Sequence, residues 1–210
     1  MIKKGDEIMD EIMTQTEILT PEIPKEVLNF SELHRLAEML AKSTIVPIAY
    51  QNRPENCFVA LDMASRMGIS ALVVMQNLYV IQGKPSFSGS AISALVNSCP
   101  RYRDVELVYV GQEGTDSWGA YVTAIKVSNG KVVKGGTVTI GTAKREGWYS
   151  KSGSKWQTMP EMMLGYRAYA WFGRLYTPEL LMGMQSTDEV NDVAVPLGTE
   201  PIVINPFEVN

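Results

Sequence analysis

This 210-residue sequence predicts an α+β fold, and three observations carry the prediction. Apolar residues recur at helical spacing through residues 31–76, they alternate at strand spacing between 104 and 140, and a capped amphipathic stretch follows over 158–176. The expected architecture is N-terminal helices and a small β-hairpin, then a three-stranded antiparallel β-meander packed against a long helix. Acidic flexible termini flank it. The chain divides into an acidic arm over 1–30, a single α+β domain over 31–185 and an acidic tail over 186–210.

Each element has a local cause. The arm carries Pro21 and Pro24 and room for one short helix over 5–13. Order is expected from Ser31, as the N-cap of a helix that places Leu33, Leu36, Ala37 and Leu40 on one face, with Lys42 at its C-terminal end. Asn52-Arg53-Pro54-Glu55 is a helix-start signal leading into Ala60, Ala64 and Met67, and Gly68 is a natural stop. A short helix follows over Ser70 to Gln76, then a hairpin of Leu78 to Ile81 and Pro85 to Phe87 turning at Gly83. Ser88 or Ser90 starts the next helix, along Ile92, Leu95 and Val96, which must end before Pro100.

Strands are expected around Val105 to Tyr109, from Trp118 to Val127, and from Val132 to Ile140. Turn signals separate them, and the Asn129-Gly130 pair marks a hairpin. The helix from Thr158 to Tyr176 has capping-box spacing between Thr158 and Glu161, Pro160 in its first turn and a stop at Thr177-Pro178. It is the natural cover for one face of the sheet.

Composition narrows the function. The longest apolar runs fall short of the ~20 residues that span a bilayer, and the acidic N-terminus has no signal or transit pattern, so a cytoplasmic protein is expected. Cys57 and Cys99, set in apolar surroundings, read as buried free thiols. Net charge is −4, but its distribution is uneven: residues 1–32 and 175–210 together carry −11, leaving +7 on the middle. Residues 144–174 hold Lys144, Arg145, Lys151, Lys155, Arg167 and Arg174 against Glu146 and Glu161. A basic centre between acidic ends suits a polyanionic partner.

Catalytic patterns are missing. The single histidine, His34, stands on the polar side of the first helix, which removes the usual base for Ser or Cys nucleophiles and any His-based metal site. Gly83-Lys84 and Gly153-Ser154-Lys155 lack the leading glycine of a phosphate loop. No enzyme, cofactor or metal is expected; a metal-dependent nuclease built on acids such as Asp62, Asp104 and Glu106 is the weaker alternative.

Three segments together resemble a known family. They are Leu40 to Pro47 with Tyr50, Pro54 and Ala64 to Ser70; then Met75 to Ser86 with Ala94-Leu95; and Ala143 to Trp148 with Lys155-Trp156, Pro160, Met163-Leu164, Arg167-Ala168, Arg174, Pro178, Gly183 and Asp188-Glu189. In order and spacing they are similar to the phage single-strand annealing proteins of the RecT/Redβ superfamily. The likeness covers roughly residues 40–190 and departs at Met162, where members often carry a basic residue, and at Gly165, where some carry Arg or Lys.

The resemblance implies binding of single-stranded DNA and annealing of complementary strands without ATP, during phage homologous recombination in the bacterial cytoplasm. It also implies a homo-oligomeric ring or filament, an annealed duplex intermediate, and a phage exonuclease or host single-strand-binding protein as further partners. Physically, annealing needs cations that hold phosphates and leave base edges free, because charge neutralisation is independent of sequence.

Candidate DNA contacts follow from the basic stretch. Arg167 and Arg174 are seven residues apart, within about 20° on one helix face, and Lys151 and Lys155 enter from the preceding loop, so the four can converge. Either they grip phosphates or the arginines pair with nearby carboxylates. Lys144 and Arg145 are expected near the end of the last strand, and Trp148 and Tyr149 are candidates to stack on bases. Lys84, at a hairpin tip, is either a DNA contact or a solvated turn lysine, and Trp171 and Phe172 belong to the core. A self-assembling scaffold, its basic face meeting a neighbour's acidic tail, is the reading of another class.

Overall fold

The computed structural model describes residues 29–81 and 84–193. The expected helix over 5–13, the turn at Gly83 and the tail beyond Val193 lie outside the described residues. The rest is a mixed α+β fold with one antiparallel sheet and one smaller sheet that combines antiparallel and parallel pairing.

Helix α1 (Phe30–Ala41) is capped two residues earlier than expected. Asn29, not Ser31, accepts from the Glu32 N–H at 3.0 Å, and Glu32 reaches back to the Asn29 N–H at 2.9 Å, closing a capping box. Leu33, Ala37 and Ala41 are buried with Leu36 and Leu40 packed beside them. Helix α2 (Pro54–Met67) has Pro54 in its first turn and ends on Gly68 at φ 67°, as the sequence predicts. Helix α3 (Ala71–Asn77) leads into β1 (Leu78–Ile81), which pairs antiparallel with β2 (Lys84–Phe87). Ser88 caps α4 (Gly89–Asn97) through its hydroxyl.

The larger sheet places β3 (Tyr102–Val110) and β5 (Val132–Lys134) on either side of β4 (Gly119–Lys126), all antiparallel. The expected third strand is broken. It resumes as β6 (Val138–Thr139), again beside β4, after an interruption at Gly135-Gly136. A Cβ at Gly135 would stand 3.3 Å from the Phe172 side chain, and one at Gly136 would stand 3.0 Å from the Trp171 ring, so the missing side chains let helical aromatics press against the strand. The expected extension to Ile140 is also corrected, because α5 (Ile140–Arg145) starts there, capped by Thr139.

The long helix is split at its start. Ser154 caps a one-turn α6 (Lys155–Thr158), and α7 (Pro160–Tyr176) follows with Met159 as its N-cap and no side-chain cap bond. The Thr158–Glu161 capping box does not form, because Thr158 is the last residue of α6. Helix α7 lies against β4, β3, β6 and α4. Phe172 is fully buried and meets Tyr102 edge-on at 5.7 Å, an arrangement worth about 0.5–1.5 kcal/mol beyond its burial.

Beyond α8 (Pro178–Leu181), residues expected to open an acidic tail are built into the fold. β7 (Gln185–Ser186) pairs parallel with β2, and α9 (Thr187–Val193) places Asp188, Glu189 and Val190 in buried positions. Glu189 and Ser186 form a reciprocal cap: the Ser186 N–H donates to Glu189 at 2.9 Å, and the Glu189 N–H donates to Ser186 Oγ at 3.1 Å.

Candidate nucleic-acid interface

The basic stretch occupies α5, the loop that follows it, α6 and one side of α7, and its cations meet α9. Lys151 Nζ donates to the Asn191 carbonyl at 3.0 Å, and Lys155 Nζ lies 3.3 Å from Asp188 Oδ1. Arg174 Nη2 donates to Glu189, and Arg167 pairs with both Glu189, at 3.7 Å, and Asp192. The four side chains singled out from the sequence thus converge, and each finds an acceptor on one seven-residue helix. The arginines take the carboxylate partners that the sequence left as one of two readings.

Their exposure separates them. Lys155 and Arg174 retain 56% and 38% of their side-chain surface, whereas Arg167 keeps 4%. The expectation that Arg167 shares an open helix face with Arg174 is therefore corrected: the Arg167 Cζ sits 3.9 Å from the Trp148 ring centroid and 5.5 Å from that of Trp156. Trp156, also buried, donates its indole N–H to Asp192 at 2.9 Å. Burial pushes the Arg167 guanidinium down from its ordinary value, against the pull of Glu189 and Asp192. Burial likewise pushes the Asp192 carboxyl up, opposed by Trp156 and Arg167.

Trp148 is half-buried, with one neighbour in Arg167 and another in Trp156, whose ring lies 5.6 Å away. Its carbonyl accepts from Ser154 Oγ at 2.7 Å, which ties the loop to the cap of α6. Tyr149 is half-buried and carries the Lys144 ammonium 5.2 Å from its ring centroid. Lys144 and Arg145 lie in α5, not at a strand end. Lys144 pairs with Asp116 at 2.5 Å, and Arg145 donates to Thr142 Oγ1 at 3.2 Å; both remain exposed. Lys84 opens β2, and its side chain lies outside the described residues.

Two clefts flank α9. One, of about 220 Å³, is bounded by Lys151, Gly153, Lys155, Asp188 and Asn191. The other, of about 280 Å³, lies between Glu146, Trp148, Trp171, Arg174, Gln185 and Glu189. The first is a lysine rim and the second joins an arginine to two indoles, a pairing of charge and ring suited to a nucleotide.

Met162 and Gly165 both lie in α7. Gly165 is buried against Leu107 of β3, so that position faces the sheet, and Met162 is half-buried. Asp62 pairs with Arg66 on α2 and Asp104 with Arg103 on β3, and among the described residues no group of three His, Cys, Asp or Glu is placed to hold a metal ion. No single described helix is long and apolar enough to cross a membrane.

The three-carboxylate helix α9 is what sequence reasoning missed as part of the site. Its signal was present, as Ser186 followed three residues later by Glu189, which is capping-box spacing. Comparison of the chain with protein-family models, curated proteins and solved structures found no match.

Proposed function

We propose that this chain binds single-stranded DNA through its phosphates and anneals complementary strands without ATP, as a homo-oligomer acting in phage recombination in a bacterial cytoplasm. The observation that carries the reading is the convergence of Lys151, Lys155 and Arg174, from three separate elements, on helix α9, where oxygen acceptors meet all three. Lys144 and Arg145, both exposed on α5, add two further cations. The β3–β4–β5 sheet with α7 against it is read as the β-β-β-α core of an annealing protein. Arg167 serves here as a positioning residue, because its buried guanidinium holds Trp148 and α9 and has little surface to offer a phosphate.

Annealing draws on both halves of this arrangement. Cations on a rim hold the backbone by counterion release, which needs no base contact, and bases remain free to test a second strand. Neighbouring copies lengthen the held strand, so a new duplex is stabilised once pairing crosses several subunits.

The test is to mix complementary oligonucleotides with the full chain, without ATP, with and without Mg²⁺. Accelerated annealing is expected in both cases. Lys155→Ala and Arg174→Ala should each weaken binding and reduce the magnitude of the salt slope by about 0.7 for each phosphate no longer neutralised. Shortened strands would instead identify a nuclease. No binding, or an unchanged salt slope in both variants, refutes the site.

A specific observation also favours the self-assembly reading: Ile45 and Ile48, in the loop between α1 and α2, are 82% and 85% exposed. That reading predicts oligomers with no effect on annealing.

A further inference from the structure

Helix α9 is delivered by a tight backbone reversal. Between α8 and β7, Met182 and Gly183 take φ of 46° and 77° in succession. Glycine tolerates that geometry, but Met182 carries a Cβ and does not favour it. Met182 is the left-handed C-cap of α8, with its N–H donating to the Pro178 carbonyl at 2.9 Å and the Met184 N–H to the Leu181 carbonyl at 2.8 Å. In the segment that follows, Met184, Ser186, Asp188, Glu189 and Val190 are all buried.

The seat itself is made by other parts of the chain. β2 pairs with β7, and Lys151, Lys155, Arg167 and Arg174 meet the polar groups of α9. The charges are complementary and one-sided. α9 has three acids and no base, while its seat supplies three cations to those carboxylates. None of these contacts depends on which copy of the chain supplies α9.

We infer that Gln185–Val193 is an exchangeable element, which each copy seats in the groove of the next. Opening the Met182-Gly183 reversal relieves the left-handed methionine and keeps every ion pair, now between subunits; short strained connections favour such exchange. The donated patch (β7 and α9) and the accepting patch (β2, the loop before α6, and α7) are different surfaces of one subunit. Passed head to tail from each copy to the next, the contact is heterologous, and its repetition closes a ring or extends a filament. A second copy thus completes the basic site with Asp188, Glu189 and Asp192. The inference rests on the oligomer part of the proposed function and is independent of DNA binding.

Crosslinking tests it without DNA. Lys155 and Asp188, whose charged atoms are 3.3 Å apart, are both replaced by Cys in the full chain, which is then treated with a short bismaleimide; Cys57 and Cys99 are buried. Exchange yields a ladder of covalent multimers on a denaturing gel. It also yields a mixed covalent dimer when tagged Lys155→Cys and untagged Asp188→Cys chains are co-expressed. A crosslinked monomer with no mixed dimer overturns the inference. Two hinge variants give a second reading. Met182→Gly should lower the multimer fraction several-fold, whereas Gly183→Pro, which cannot take a φ of 77°, should leave the protein folded and almost wholly multimeric. A Gly183→Pro chain that unfolds, or that crosslinks only within itself, refutes the exchange.

Discussion

The Arg167 guanidinium carbon lies 3.9 Å from the centroid of the Trp148 ring, in a site where Arg167 keeps 4% of its side-chain surface. A cation so placed is desolvated, so its attraction to the ring and to Glu189 and Asp192 is little screened. The contact links the loop after α5 to α9 through a single side chain on α7.

Removing that cation leaves the buried Asp192 carboxylate without its cation, while Glu189 keeps Arg174. Arg167→Ala should destabilise the protein by about 3–5 kcal/mol, read as a lower urea midpoint. Combined with Asp192→Asn it should cost less than the sum of the two single changes, because the second change removes the stranded charge. Additive losses would show that the pair is not coupled.

Asp192 supplies a pH test. Burial raises its carboxyl above the ordinary 3.8, so the folded protein holds this proton more tightly than the unfolded chain. The stability it contributes is complete below 3.8 and is lost as pH rises through the raised folded value. The stability of the wild type relative to Asp192→Asn, from urea unfolding at a series of pH values, should therefore fall with rising pH across that window and then level off. A difference that rises across the same window contradicts the assignment.

Asn29 begins the described chain and closes a capping box with Glu32. Asn29→Ala should cost about 1 kcal/mol of stability, seen in thermal or urea unfolding. Ser31→Ala, the substitution that the sequence pattern alone would have chosen, should be close to neutral because Ser31 lies inside α1.

At Gly135 the strand needs an absent side chain. Gly135→Val should destabilise by about 1–3 kcal/mol, because its methyl groups extend from a Cβ already 3.3 Å from Phe172. Restored stability in a second variant, Gly135→Val with Phe172→Leu, would identify overpacking as the cause; equal destabilisation without and with the smaller side chain would point elsewhere.

Much of the fold was legible because its causes are local. Pro54 and Gly68 mark the ends of α2, Ser88 starts α4, and Asn129-Gly130 turns β4 into β5, each through the conformations that one or two residues allow. The convergence of Lys151, Lys155, Arg167 and Arg174 was also readable, from their spacing around one loop and one helix. The break at Gly135-Gly136 was not, since it depends on Phe172 and Trp171 arriving from a helix more than thirty residues later.

By itself, then, the sequence determined α1 to α4, β1 to β4 and the gathering of positive charge. Tertiary structure decided what that charge meets. Asp188, Glu189 and Asp192 look like the start of a solvated acidic tail, because a seven-residue helix has too few hydrogen bonds to stand alone in water. Contacts with residues 15 to 36 positions earlier fix it in place and bury its carboxylates beside Arg167, Arg174 and Trp156. Ion pairs at such separation form only after the chain has folded to bring them together. The Ser186–Glu189 spacing marks a helix start, but only the folded chain decides that this helix sits against the basic side chains.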